Sequence, residues 1–260
     1  MPFFKNQGIN LYYDISGNGP PLFLINGLAG DTRQWKLLID RIKTSFQIIS
    51  YDMRCAGQSD KPDKPFSIED VTNEVYSLIR YLRYDKVFVL GFSMGGMVAM
   101  NLAHKYPDNI LKIFLVSTTP SLKRPYPLSY ETMSMLRRTD ISPALLTQVY
   151  ESIFGSKYKE TISVDAFINS RINDDNPQPA FAYLQQLKAV ESCDLYAEAD
   201  KISVPAIIIA GEEDKLIPSE NSIWLNDHLK NSKLYTYKGI GHMVPLEAPD
   251  KLEDVLVSSK

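Results

Sequence analysis

Residues 86–104 read Lys86-Val87-Phe88-Val89-Leu90-Gly91-Phe92-Ser93-Met94-Gly95-Gly96-Met97-Val98-Ala99-Met100-Asn101-Leu102-Ala103-His104, and their reading decides the fold. Val87, Phe88, Val89 and Leu90 form a short apolar run without polar alternation, the mark of a parallel strand buried on both faces. The small and apolar residues after Gly95, free of Pro and turn clusters, predict a buried helix. Between them lies Gly-x-Ser-x-Gly, which puts Ser93 on a sharp strand-to-helix turn with its hydroxyl above the sheet edge. Side chains at Gly91 or Gly95 would collide with the turn or neighbouring strands, and Gly96 lets the helix pack closely. Helix amides from Met94 onward direct partial positive charge at any oxygen bonded to Ser93.

A serine hydroxyl needs a base, and imidazole is the natural one at neutral pH. Of the three histidines, His104 sits at the far end of the elbow helix and His228 on a polar helix facing solvent. His242 follows a strand in Gly239-Ile240-Gly241-His242, a loop at the carboxyl edge where open α/β sheets bind ligands, and is the candidate base. An imidazole in turn needs a carboxylate to set its tautomer. Asp214, just beyond the strand ending at Ala210 and between Gly211 and Pro218, is the best placed; Glu212 and Glu213 are its rivals, otherwise read as solvated loop charges.

Working outward, residues 9–15 and 22–25 read as strands separated by Ser16-Gly17-Asn18-Gly19-Pro20-Pro21. Asn26-Gly27-Leu28-Ala29-Gly30 is a loop able to aim a backbone amide into a cleft, and a capped helix follows from Asp31-Thr32 with Trp35, Leu38 and Ile39. Residues 46–51 are a strand; Ser67-Ile68-Glu69-Asp70 is a capping box opening a helix with Val71, Val75, Leu78, Ile79 and Leu82. Residues 110–116 and 204–210 are further buried strands, then a helix near 222–229, a strand over 233–237 and a short final helix. Alternation of this kind predicts an α/β domain, a mostly parallel sheet with helices on both faces. Residues 120–196 break the rhythm with helical patterns over 132–138 and 143–154, predicting a helical lid inserted between core segments 1–119 and 197–260.

The order Ser93, Asp214, His242 is that of the α/β-hydrolases, which this chain resembles over nearly its whole length. Asn26 to Gly30 resembles the family's oxyanion loop, Asp52-Met53-Arg54-Cys55-Ala56-Gly57-Gln58-Ser59 its Asp-x-Arg-Gly-x-Gly-x-Ser signature, and Gly91 to Gly96 its nucleophile elbow. Gly211 to Asp214 with Pro218, and Gly241-His242 with Glu247 and Pro249, match its acid and histidine loops. The resemblance implies that the backbone amides of Leu28 and Met94 hold the oxyanion. Two positions depart: Asn26 stands where His is commonest, as in enol-lactonases of the 3-oxoadipate type, and Cys55 replaces a Gly.

The resemblance implies a serine esterase or lactonase needing no metal or organic cofactor. Two substrate classes follow from it. Methyl ester esterases acting on pimeloyl-carrier protein use a basic lid, and Lys123, Arg124, Arg137, Arg138, Lys157 and Lys159 lean that way against Glu131, Asp140, Glu151 and Glu160. Enol-lactonases take a small carboxylated lactone, for which one buried lid arginine suffices. Carbon-carbon hydrolases and cofactor-free haloperoxidases share the skeleton, and in a different class the same fold serves as ligand receptor or non-catalytic binding protein. Phe154, Phe167, Phe181 and Leu184 either line an acyl tunnel or glue the lid to the core.

The chain has 260 residues, enough for one sizeable core. Its formal charge of −3 and lack of a basic stripe give no case for nucleic acid or an anionic membrane. Residues 1–8 carry no basic and apolar leader and no run approaches spanning length, so a cytoplasmic protein is expected. Cys55 and Cys193 are far apart with no metal-type spacing and are expected to be buried thiols.

Overall fold

In the computed structural model, which describes residues 3–260, the strand expected over 9–15 is the long second strand of a hairpin. Met1 and Pro2, part of the leaderless N-terminal reading, lie outside the described residues. The strands are β1 (Phe3–Asn6), β2 (Ile9–Gly17), β3 (Pro21–Ile25), β4 (Gln47–Tyr51), β5 (Val87–Phe92), β6 (Ile110–Val116), β7 (Ala206–Gly211) and β8 (Ser232–Tyr237). The helices are α1 (Lys36–Ile42), α2 (Ile68–Tyr81), α3 (Met94–Lys105), α4 (Tyr130–Leu136), α5 (Pro143–Ile153), α6 (Ser156–Lys159), α7 (Val164–Ile172), α8 (Ala180–Ser192), α9 (Glu220–His228), α10 (Val244–Glu247) and α11 (Pro249–Ser258). β1 was not legible: four residues are too few for a period, and their state depends on pairing Phe3 with Tyr12 and Asn6 with Ile9 across a turn at Gln7 and Gly8.

The sheet runs β1-β2-β4-β3-β5-β6-β7-β8, antiparallel at β1, β2 and β4 and parallel from β4 through β8. Although β3, β5 and β7 are apolar throughout, the period of two still assigns each side chain a face. Phe23, Val89, Leu115 and Ile208 join one core with α2, α3 and α9, while Leu24, Leu90, Phe114 and Ile209 join the other with α1 and α11. Burying each such large side chain stabilises the fold by about 1.5–3 kcal/mol.

Local chemistry sets the helix starts. Ser67 Oγ accepts from the Asp70 N–H while the Asp70 carboxylate accepts from the Ser67 N–H, closing the expected capping box of α2. The helix expected from residue 31 begins as a 3-10 turn over Thr32–Trp35, capped by Asp31, before α1 proper. Five helices, α4 to α8, lie between β6 and β7, within the segment where the strand rhythm lapses. β3 sits between β4 and β5: the chain leaves its carboxyl end toward β4 on one side, and from β4 crosses back to β5 on the other, a reversal of the kind at which open α/β sheets form a crevice. Among the described residues no helix is long and apolar enough to cross a membrane.

Candidate active site

Ser93 joins β5 to α3 at φ 53° and ψ −118°, a conformation that costs a side-chain-bearing residue about 1–3 kcal/mol. The surrounding backbone holds it there. Its N–H donates to the Val116 carbonyl over 2.9 Å, and its carbonyl accepts from Gly96 N–H at 2.8 Å and Thr118 Oγ1 at 2.7 Å. A Cβ on Gly91 would strike the Gly95 carbonyl, and one on Gly95 the Ile25 carbonyl, so the elbow closes only with glycine at both. The Ser93 hydroxyl does not cap α3, and the residue is partly exposed.

Nδ1–H of His242 donates to Oδ2 of Asp214 over 2.7 Å, and both side chains are buried. Oδ1 of Asp214 accepts from the N–H groups of Leu216 and Ile217 at 2.9 and 2.8 Å, which fixes the carboxylate plane. The rivals have other partners. Glu212 accepts from Thr236 Oγ1 at 3.1 Å, and Glu213 accepts from both N–H and Oγ of Ser156 at 2.7 and 2.8 Å, bonds that hold its carboxyl below the usual range. Glu213 is thus a tie to α6 rather than a solvated charge. The imidazole packs against Phe92, ring centroids 5.1 Å apart, which sets it beside the residue preceding Ser93. Among the described residues its hydrogen bond to Asp214 is the only one its ring makes.

The backbone of the His242 loop is held from the inserted helices. Ile153 at the end of α5 accepts from the N–H groups of His242 and Met243, and the Glu247 carboxylate gathers those of Gly155, Gly241 and Met243. Burial raises the Glu247 carboxyl despite these donors.

The loop after β3 is braced by Asn26, which is fully buried. Its Nδ2 donates to the Tyr51 carbonyl at 3.0 Å and its Oδ1 accepts from Gln34 Nε2 at 2.8 Å and from the Trp35 indole. Asp52 receives Thr32 and Gln58 N–H groups, both at 2.7 Å, and burial raises its carboxyl. Arg54 pairs with the buried Glu74 of α2, Nε to Oε1 2.9 Å, and its guanidinium lies over Phe66. Cys55 takes the Gly position of that motif at φ 69°, buried, with its thiol pushed up to about 11. Cys193 is only partly buried, and desolvation pushes its thiol up to about 12.

Ser93, Leu28 and Met94 share a narrow cavity of about 40 Å³. Met97 of α3 and Thr118, Thr119 and Leu122 after β6 form one side; Leu128, Leu136, Leu187 and Val190 of the insertion and Leu216 and Ile217 of the Asp214 loop form the rest. A larger hollow of about 240 Å³, walled by Leu37, Phe92, Met243 and Leu246 among others, does not include Ser93.

The expected tunnel residues lie elsewhere. Phe154 and Phe167 pack edge-on to each other, 5.6 Å apart, beside Tyr150 and Tyr158; Phe181 is 41% exposed and Leu184 half-buried. Helix α8 meets the cavity one turn later, through Leu187 and Val190, a register that sequence spacing leaves open. His228, expected in solvent, stacks on Trp224 with ring centroids 3.8 Å apart; His104 ends α3 as expected. Sequence reading missed Gln178 and Gln186, which reach the Cys55 and Arg54 carbonyls at 2.7 and 3.0 Å. A glutamine in a helix, like Gln186, or in the loop before one, like Gln178, carries no local sign of its partners. Among the described residues no group of three or more His, Cys, Asp or Glu could hold a metal ion.

Residues 20–249 match the alpha/beta hydrolase fold family, and the chain belongs to it. It is an α/β hydrolase with a methyl ester esterase among its relatives in sequence. A pimeloyl-[acyl-carrier protein] methyl ester esterase of Nitrosomonas europaea is 27% identical, over 93% of this chain and 96% of that protein. An esterase from Exiguobacterium antarcticum superposes with a TM-score of 0.87 at 23% identity, covering 99% of this chain and 98% of that one. The enol-lactonase from Burkholderia xenovorans LB400 does so with 0.86 at 24% identity, covering 99% and 98%.

Proposed function

We propose that the chain hydrolyses carboxylic esters by acyl transfer through Ser93. His242 Nε2 takes the Ser93 proton as Oγ attacks the ester carbonyl, and the tetrahedral oxyanion is held by the Leu28 and Met94 amides. His242 then returns the proton to the departing alcohol. Water, activated by the same imidazole, cleaves the acyl-enzyme and releases the acid. Asp214 keeps Nδ1 protonated throughout, leaving Nε2 free to act as base. Helices α4 to α8 act as the lid over Ser93.

The observation that carries this reading is the buried 2.7 Å bond between Asp214 and His242, whose ring packs on Phe92, the residue before the strained Ser93. The activity of the Nitrosomonas relative fits it in bond type. A docking face for an acidic carrier gains little from charge, because Arg124, Arg137, Arg138 and Lys159 pair with Asp194, Glu191, Asp140 and Glu151. Rates independent of salt on carrier-bound substrate are therefore expected. Ser93→Ala should lower turnover of a short p-nitrophenyl ester by about 10⁴–10⁶-fold and abolish fluorophosphonate labelling; near-normal hydrolysis would sink the proposal, and labelling of wild type without turnover would make the chain a binder.

A further inference from the structure

We infer that the cavity beside Ser93 is an acyl pocket for short, uncharged aliphatic acids, and that it rejects carboxylated ones; the inference rests on the esterase reading. The cavity touches the nucleophile and both proposed oxyanion donors, and His242 is not among its walls. The alcohol must leave beside the imidazole that protonates it, so the group in the cavity is the acyl chain. Apart from Ser93, Thr118 and Thr119 its walls are aliphatic or methionine, with no aromatic ring and no charged group.

The polar atoms on its edge are already engaged. Thr118 Oγ1 donates to the Ser93 carbonyl, and Thr119 Oγ1 is shared between the Ser121 carbonyl and Asn221 Oδ1 at 2.8 and 2.9 Å. No arginine lines the cavity, and Arg124, Arg137, Arg138 and Arg171 of the insertion all sit in ion pairs with solvent-exposed guanidiniums. A carboxylate on the acyl chain would be desolvated there without a partner. At about 40 Å³ the cavity is small beside the roughly 300–1,000 Å³ of a typical ligand pocket, so it suits an acyl chain of a few carbons.

The test is kcat/KM for p-nitrophenyl acetate, propionate, butyrate, hexanoate and octanoate and for the mono-p-nitrophenyl ester of succinate. Wild type should gain about threefold to fourfold per methylene up to butyrate and fall beyond it, with the succinate ester at least 100-fold below butyrate. Val190→Ala, mild enough to fold, should move the optimum toward hexanoate. A flat series, an optimum at octanoate, or a succinate ester equal to butyrate overturns the inference. If Ser93→Ala leaves the whole series unchanged, the esterase reading has failed; if it abolishes a flat series, only the pocket has.

An independent observation points to Gln186 as a positioning residue for the oxyanion loop. Its carboxamide is fully buried in α8; Oε1 accepts from the Ala29 N–H at 3.1 Å and from Gln178 Nε2 at 3.0 Å, and Nε2 donates to the Arg54 carbonyl. Ala29 sits at φ 61°, in a turn closed by the Gly30 N–H on the Gly27 carbonyl. Few side-chain-bearing residues hold that conformation unaided. Flipping the Leu28–Ala29 peptide would relieve it, but would turn the Leu28 carbonyl toward Gln186 Oε1, oxygen against oxygen. The inserted helix thereby selects the loop conformation next to the Leu28 amide. Gln186→Met should lower kcat about 10–100-fold with KM nearly unchanged and weaken an alkylboronic acid in proportion, with the fold kept and melting several degrees lower because three buried bonds are lost. An unchanged kcat, or a rise in KM alone, overturns it.

Discussion

At the carboxyl rim of the sheet, Asn26, Asp52, Asp214 and Glu247 turn their oxygens toward backbone N–H groups, an indole or an imidazole. In the inserted helices Arg124, Arg137 and Arg138 turn outward to pair with Asp194, Glu191 and Asp140 at the surface. A buried acceptor held by fixed donors keeps its geometry as charge develops nearby, whereas an exposed ion pair costs side-chain entropy and yields little. The rim is built to hold atoms in place. The insertion contributes shape through its leucines, and bonds the rim from Ile153, Gly155, Ser156, Gln178 and Gln186.

The contrast breaks most sharply among three adjacent carboxylates. Asp214→Asn should lower kcat by about 10³–10⁴-fold, while Glu213→Gln, its near neighbour, should change it less than about threefold; comparable losses in kinetic assays of the two would erase the distinction. Asn26→Ala removes one donated and two accepted bonds in a fully buried site, and urea denaturation should show a loss of about 2–4 kcal/mol with a fall in kcat. Glu247→Gln faces an NH₂ group toward backbone donors and should cost about 1–3 kcal/mol by the same measurement, with kcat lowered because the His242 loop loosens.

Arg137→Ala, on the other side of the comparison, should stay within about 1 kcal/mol of wild type in thermal unfolding, since its pair with Glu191 is exposed. Acid sharpens the point at Glu213. Its carboxyl is lowered in the fold by Ser156, so its contribution is present above the ordinary carboxylate range and lost as pH falls through its folded pKa. Protection of the Ser156 amide, taken as hydrogen exchange relative to the intrinsic rate at each pH, should fall on acidification in wild type and stay constant with pH in Glu213→Gln.

Period, capping and turn chemistry act over a few neighbouring residues, which is why the elbow around Ser93, the capping box at Ser67 and the strands β3 to β8 could be read from the chain alone. His242 was separable from His104 and His228 for the same reason, its loop following a strand at the sheet's carboxyl edge. Which of three consecutive carboxylates meets that imidazole, which turn of α8 faces the cavity, whether four residues at the start make a strand, and where Gln178 and Gln186 spend their amides were settled only by tertiary structure. The first strand depends on a hairpin partner a few residues on and the others on partners much farther along the chain, and a through-space bond leaves no trace in local spacing.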